Sequence, residues 1–527
     1  MLMNNNLYRS CKGIVIAILL VCVILPLCNL FRSIHIEDIV AVLGSPHFLT
    51  MLKNSLITTL IATLLSVGFA FLLASCVNRT CMKGKSLFRI LFTLPMLIPS
   101  ISHGMGLVLL LGTNGILTNL LGLSFELYGF NGIVLGSILY SFPVAFLLLN
   151  DGFQYEDAAA YEAAEVLGLN KWEQFIQITL SNMKAPIISS LFAVFTMIFT
   201  DYGVPLAVGG QVLTLPVYMY REVIGLMNYS QGAIIGVVLL VPALIEFIMD
   251  LKSGDHSVTL QGTRLTIKAH KSKDLMAFYF CSLIVLLLLL PLGTFMVLSF
   301  VESYPIDLRF SLVNIQEAFR LGVGMYLKHS IAIAFATAIV GMGITYFTAY
   351  ITARSKRTFT NLSLHLISLI SLAIPGVVLG LCYVLLFHGS FLYGSVFILI
   401  QVNITHFFAS PYLMAYNSLK RFNANFEDVA AVHGISKMQL LFDVFVPCTK
   451  ETLLEIFAYL FVNAMVTISA VSFLANFKNM PLSLLIPQFD SQSMIEATAF
   501  ISIVIFGVNV MVKGIIYGLK KYSGGNE

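Results

Sequence analysis

The sequence predicts an all-α polytopic membrane protein, with about 12 transmembrane helices in two homologous six-helix halves that run in parallel. Three observations predict it. Of 527 residues, 58% are hydrophobic and only 11% charged, where a soluble domain carries about 25% charged residues. The chain divides into apolar runs of membrane-crossing length, and mean hydropathy is +0.91, more apolar surface than a globular core can take in. The runs of the second half also repeat those of the first.

In order, the first half holds candidate spans at 13–31, 55–77, 87–111, 132–150, 185–200 and 232–251. The second half holds them at 275–300, 330–353, 362–388, 392–419, 452–474 and 495–519. Arg9 and Lys12 precede the first run as they would in a signal peptide. That run is longer than a typical signal core and no small-x-small cleavage site follows it, so it is read as a retained helix. The eight cysteines form no CxxC pair and sit in or beside apolar runs, where they act as small hydrophobic residues.

The repeat is visible as KNSLITTLIATLLSVGFAFLLA from Lys53 against KHSIAIAFATAIVGMGITYFTA from Lys328. Pro99 matches Pro375, and Pro143 matches Pro411. The first half is 1–250 with a core at about 51–250; the second is 275–527 with a core at about 328–520; residues 251–274 form a basic linker. Each half has an even number of spans, so the two share one orientation, and an interface between parallel halves is where a solute path is expected.

Lysine and arginine set the orientation. With the N-terminus inside, the inner loops collect Arg79, Lys83, Lys85, Arg89, Lys171, Lys184, Lys252, Arg264, Lys268, Lys271 and Lys273. Later inner loops add Arg354, Lys356, Arg357, Lys420, Arg421, Lys437 and Lys450, and the C-terminus adds Lys520 and Lys521. The outer loops carry Glu37, Asp38, Glu126, Asp201, Glu302 and Asp307. The net charge of +4 is thus an orientation signal facing membrane lipid rather than a nucleic-acid surface.

Two inner loops carry a shared polar, helix-forming pattern. Glu162-Ala163-Ala164 precedes Gly168 in one, and Asp428-Val429-Ala430 precedes Gly434 in the other, with the acid six residues before the glycine in both. Ile178, Leu180 and Ser181 follow the first glycine at the positions where Val444, Val446 and Pro447 follow the second. Alanine after an acidic residue favours a helix start, and glycine can end that helix in a left-handed conformation. A second amphipathic helix is expected next, with Trp172, Phe175, Ile176 and Leu180 apolar in one copy and Met438, Leu441, Phe442 and Phe445 in the other. The pair offers knobs for a partner's groove.

These segments resemble the EAA loops of binding-protein-dependent ABC importer permeases, whose pattern is EAA, three residues, Gly, then I-x-L-P. The resemblance covers nearly the whole chain, twice. It implies a type I ABC importer permease fold with fused halves and a multi-pass location in a bacterial cytoplasmic membrane, both termini cytoplasmic. It also implies two copies of a cytoplasmic ATPase and an extracytoplasmic solute-binding protein. ATP and Mg would sit on the ATPases, and this chain would bind no cofactor. Glu162, Ala163, Ala164, Gly168, Asp428, Ala430, Gly434 and Pro447 would form the coupling loops. Ser181 departs from the pattern's proline, and Asp428-Val429 from its Glu-Ala, so the two couplings need not be equal.

The chain carries no nucleotide machinery of its own. Gly84-Lys85-Ser86 lacks the glycine of a P-loop, since Arg79 occupies that position. No HExxH or GxSxG motif occurs, and His103, His329, His365, His388 and His406 show no metal-ligand spacing. No catalytic or metal residues are expected. For the solute path the candidates are Asp201, just after the fifth span, and Asn463, Thr467 and Ser469 in the second half. The plainer reading of these residues is helix-to-helix hydrogen bonding and a glycine-rich turn. Fused permeases of this kind resemble those for ferric ion, thiamine and 2-aminoethylphosphonate. The phrases FTDYGVPLAVGG, YREVIGLMNYSQGA and FVNAMVTISAVSFL look most like the aminoethylphosphonate group, which is the expected substrate, with ferric ion second. An ion-driven secondary transporter also has two parallel six-span halves and would need no ATPase; the loop pair discriminates, because coupling makes ATP-dependent uptake depend on Gly168 and Gly434. A non-transport anchoring protein has no use for the duplicated loops.

Overall fold

The computed structural model describes residues 2–122, 124–154, 156–253, 269–355 and 358–524. Most of the linker, including Arg264 and Lys268, lies outside these residues, as do Lys356, Arg357 and the side chain of Lys252.

The chain is helical throughout, apart from a short antiparallel pairing of Val301–Ser303 with Asp307–Phe310 among the described residues. Nine helices in the described residues are long and apolar enough to cross a membrane, or up to 11 if each of two bent pairs is one span. They include Leu7–Arg32, Pro46–Arg79, Phe130–Gln154, Lys171–Phe199, Lys271–Leu298, Val323–Arg354 and Ile495–Tyr522.

The difference from twelve uninterrupted spans has a local cause. The run 87–111 is two helices, Lys85–Thr93 and Ser100–Leu111, joined by a tight turn at Leu94–Leu97. Its counterpart 362–388 breaks the same way, with Phe359–Ala373 and Gly376–Phe387 meeting at 111°. Proline disfavours the helical conformation in the residue before it and biases that residue to extended backbone. Ile98 and Ile374, ahead of Pro99 and Pro375, are extended with ψ of 154° and 107°. The run 392–419 bends by 54° between Val396–His406 and Ala409–Lys420. The run 452–474 is α-helical only over Lys450–Val466, because Thr467 is extended, and a single 3-10 turn follows at Val471–Phe473.

The chain packs as two compact units. One comprises Met1–Leu43, Met219–Leu240 and Leu312–Glu527; the other comprises Gly44–Tyr218 and Val241–Ser311. Repeat halves and packing units are therefore different divisions of the chain, since the first helix of each half lies in the unit that holds the other half's core. In the first unit the N-terminal helix is bound by polar contacts: Lys12 Nζ donates to Asn361 Oδ1 at 2.6 Å, Asn29 Nδ2 to the Leu385 carbonyl at 2.7 Å, and the Tyr383 hydroxyl to the Cys22 carbonyl at 3.0 Å. In the second unit Lys271–Leu298 is held by an N–H bond from Cys81 to Asp274 at 2.7 Å. Gly106 faces Pro291 so closely that a Cβ on the glycine would lie 2.5 Å from the proline ring.

The duplication is also a structural one. Ser55 Oγ accepts the Leu215 N–H at 2.8 Å, and Ser330 Oγ accepts the Leu482 N–H at 2.7 Å. These serines are matching residues of Pro46–Arg79 and Val323–Arg354, the second span of each half.

Candidate functional site: two paired coupling elements

Each of the two patterned loops is a helix, a glycine turn and a second helix. Ala158–Val166 is capped by Asp157, whose carboxylate accepts the Ala159 N–H at 3.1 Å. Asn423 stands at the same register before Asn425–Val432, and its side chain accepts the Asn425 N–H at 3.0 Å. Gly168 and Gly434 end these helices at φ of 76° and 71°. The Leu169 N–H reaches the Ala164 carbonyl and the Gly168 N–H the Glu165 carbonyl, at 3.0 and 3.1 Å. Ile435 to Ala430 and Gly434 to Ala431 repeat the pair at 2.8 and 3.3 Å. Both turns are thus Schellman caps, which need a left-handed residue where glycine stands.

The residues of the pattern divide by role. Ala164 and Ala430 are buried against the body of their units, while Glu162, Ala163, Gly168, Asp428 and Gly434 face outward. The tips are apolar and bare: Val166 is 88% exposed, Leu167 78% and Trp172 68%, and in the other copy Val432 is 84% exposed. Bulky hydrophobic side chains so placed on a polar loop mark a contact surface.

The second helices begin on reciprocal caps that the sequence analysis missed, Asn170 with Glu173 and Ser436 with Gln439. Asn170 accepts the Trp172 and Glu173 N–H groups at 2.9 Å each, and Glu173 accepts the Asn170 N–H at 2.8 Å. Asn170→Ala is expected to cost about 1 kcal/mol locally, read as faster amide exchange over Lys171–Gln174 than in the parent.

Neither second helix is free-standing. Lys171–Gln174 passes through a π-helical turn, Phe175–Thr179, directly into Leu180–Phe199. The matching π turn, Leu441–Phe445, leads to a short Val446–Cys448 helix that carries Pro447, then a break at Thr449 before Lys450–Val466. The exchange of Ser181 for Pro447 therefore coincides with a continuous helix in one copy and an interrupted one in the other.

Two arginines that sequence reading assigned only to orientation join these elements. Arg79 Nη2 bonds Glu156 Oε1 at 2.6 Å and Thr179 Oγ1 at 2.9 Å, and also meets the Tyr161 hydroxyl. Tyr161 in turn donates to Glu156 at 3.1 Å, and burial holds its phenol above the usual value, so it keeps that proton. Arg354 bonds Glu427 through Nε and Nη2 at 2.7 and 2.5 Å, and donates to the Phe422 and Asn423 carbonyls at 2.7 and 2.8 Å.

Of the expected solute-path residues, Asp201 belongs to one packing unit and Asn463, Thr467 and Ser469 to the other. Asp201 accepts the Gly203 and Val204 N–H groups at 3.3 and 2.9 Å and is bonded by the Ser100 hydroxyl. It thereby caps Gly203–Val208 while touching the first residue of Ser100–Leu111. It also borders a small cleft lined by Ser55, Thr58, Thr59, Ser137 and Thr214, and the buried Thr214 hydroxyl has no hydrogen-bond partner among the described residues. Asn463 donates to the Tyr459 carbonyl of its own helix at 2.8 Å. The Thr467 carbonyl accepts from Ser483 at 2.9 Å. Ser469 packs on Gly376, where a Cβ would come within 2.2 Å of its Oγ. Among the described residues, no group of three or more His, Cys, Asp or Glu side chains converges as metal ligands would.

With this paired geometry in place, comparison with known proteins decides the family. The family described as the binding-protein-dependent transport system inner membrane component matches residues 66–251 and 345–521. The chain belongs to this family. As a membrane component of that kind, it carries the family's unit twice, once in each half. The ferric transport system permease protein FbpB of Actinobacillus pleuropneumoniae is 26% identical over 471 residues, covering 83% of this chain and 66% of the relative, just under two thirds of its length. The putative ferric transport system permease protein FbpB 1 of Haemophilus influenzae is 25% identical over 460 residues, covering 83% of this chain and 72% of the relative. The sulfate transport system permease protein CysW of Synechococcus elongatus is 25% identical over 224 residues, covering 41% of this chain and 78% of the relative. This last match is of half-chain size, as a fusion of two units requires.

The two relatives above that span both halves are named for ferric transport, the second of the expected substrates, and the aminoethylphosphonate expectation finds no support in them. Its strongest phrase, FTDYGVPLAVGG, has a structural reason to exist: Asp201 is a helix cap and Gly203 opens the capped helix.

Proposed function

We propose that the chain is the permease of an ATP-driven importer that carries ferric iron, delivered by an extracytoplasmic binding protein, across a bacterial cytoplasmic membrane. The observation that carries this reading is the pair of like elements with bare apolar tips, in a family member that two relatives named for ferric transport match across both halves. Each element takes one copy of a cytoplasmic ATPase, and both termini lie on that side, where the basic loops collect. ATP and Mg reside on the ATPases. Closure of the ATPase pair draws the two elements together and changes which side of the membrane the path faces. Iron is cargo in this scheme.

Two experiments test it. Equilibrium binding of ferric iron and of 2-aminoethylphosphonate to the partner binding protein decides the cargo: tight iron binding with no phosphonate binding is expected, and the reverse overturns the assignment. Charging the tips tests the partner. Val166→Asp with Val432→Asp is expected to lower co-purification of the ATPase by about tenfold or more, because each tip would enter an apolar groove. Undiminished co-purification would remove these tips from the contact.

A further inference from the structure

The geometry points to Arg79 and Arg354 as positioning residues that lock each coupling element to the second span of its own half, making that span the rod that carries the element's movement into the membrane. The inference rests on the proposed role of the elements as ATPase contacts.

Arg79 is the last residue of Pro46–Arg79, and Arg354 the last of Val323–Arg354. In the first copy the guanidinium gathers the chain on both sides of the tip. Glu156 lies before the first helix, Tyr161 on it, and Thr179 at the end of the π turn beyond the second. The Glu156 side chain is 3% exposed, so the ion pair is not a surface ornament. In the second copy the acid has moved. Glu427 stands where the first copy has Tyr161, and Phe422, where the first has Glu156, offers its carbonyl instead. Arg354 also lies over the Phe445 ring at 5.1 Å, and Phe445 ends its π turn as Thr179 ends the other. The arginine and its job are kept while the partners are exchanged.

Only a guanidinium suits both settings. It is planar, always charged and forked, so it fixes the angle of the element as well as its distance. Both arginines grip the π turn, where the helical register is already interrupted.

The far part of each rod is tied as well. Ser55 and Ser330 stand 24 residues before the arginines, a rise of about 36 Å along a helix. Each accepts a backbone N–H from the segment that follows the fifth span of its half, at Leu215 and Leu482. Ser55 also lines the cleft beside Asp201. One continuous helix thus has a coupling element fastened to its end and the polar segment fastened 24 residues away, a physically contiguous route between them.

The test uses the full transporter in proteoliposomes, with the ATPase inside and iron-loaded binding protein outside. For Arg79→Ala and Arg354→Ala the ATPase should still co-purify, while stimulation of ATP hydrolysis by the loaded binding protein, and ferric uptake with it, falls about tenfold. Arg79→Lys and Arg354→Lys keep the charge and lose the fork; they should fall between, and they carry the test if the alanine variants do not accumulate. Unchanged stimulation and uptake would overturn the proposal. So would a loss that tracks loss of the ATPase from the complex, since the arginines would then serve assembly alone. If the parent chain itself shows no ATP-dependent uptake, the proposed function fails instead.

Discussion

Valine at both Gly168 and Gly434 is expected to abolish ATP-driven uptake, by more than about tenfold, while the protein still inserts and accumulates. The argument is a backbone one. Both glycines hold positive φ, and among the described residues nothing lies within 4 Å of a Cβ built at either position. A clash therefore contributes nothing, and the cost is that of the left-handed conformation, about 1–2 kcal/mol for each residue. Against a total stability of about 5–15 kcal/mol this does not unfold the chain. It does remove the Schellman bonds at Ala164 and Ala430, and with them the fixed direction of Val166, Leu167 and Val432. Asparagine tolerates the left-handed region, so Gly168→Asn with Gly434→Asn should recover much of the uptake. The comparison is made by initial rates in proteoliposomes at matched protein content. Equal uptake by parent and valine variant would show that the turns do not set the tips.

Asp201 separates a structural role from a cargo role. As the cap of Gly203–Val208, beside Ser100, it should be lost at a cost of about 2 kcal/mol on change to alanine, because two partly buried N–H groups lose their acceptor. Asparagine caps as well as aspartate. Asp201→Asn is therefore expected to keep both thermal stability in detergent and ferric uptake, where Asp201→Ala loses stability. Should Asp201→Asn fold as the parent does yet fail to transport, the carboxylate charge is needed by the cargo itself, and the cap is secondary.

What was legible in the sequence follows what is local in the structure. The two glycine turns were readable because the residues that set them stand a few positions apart. The helix starts were displaced, since Ala158–Val166 begins on Asp157 rather than at Glu162, and Asn425–Val432 begins before Asp428. Of the apolar residues expected to face a partner, Trp172 is bare while Leu441 and Phe445 are buried. The number of uninterrupted spans was not, because apolar content continues through Pro99 and Pro375 while the backbone turns there. The arginine locks were hidden for another reason. Arg79 and Arg354 match across the repeat, but their acids do not. Glu156 and Glu427 belong to different registers, so pairing like with like finds only one acid at a time. The first helix of each half gave no sign of its packing unit, since an apolar run carries no address beyond a few polar handles such as Lys12 and Asn29. The phrase FTDYGVPLAVGG says little of the cargo, because Asp201 in it binds the backbone N–H groups of Gly203 and Val204, a condition of the local fold.

The most direct test of the central claim is ferric uptake into proteoliposomes that hold the purified chain with and without its ATPase, the iron-loaded binding protein being present outside in both. The account predicts uptake only when the ATPase and ATP are present together. Uptake that continues without the ATPase, driven by an ion gradient alone, would contradict it.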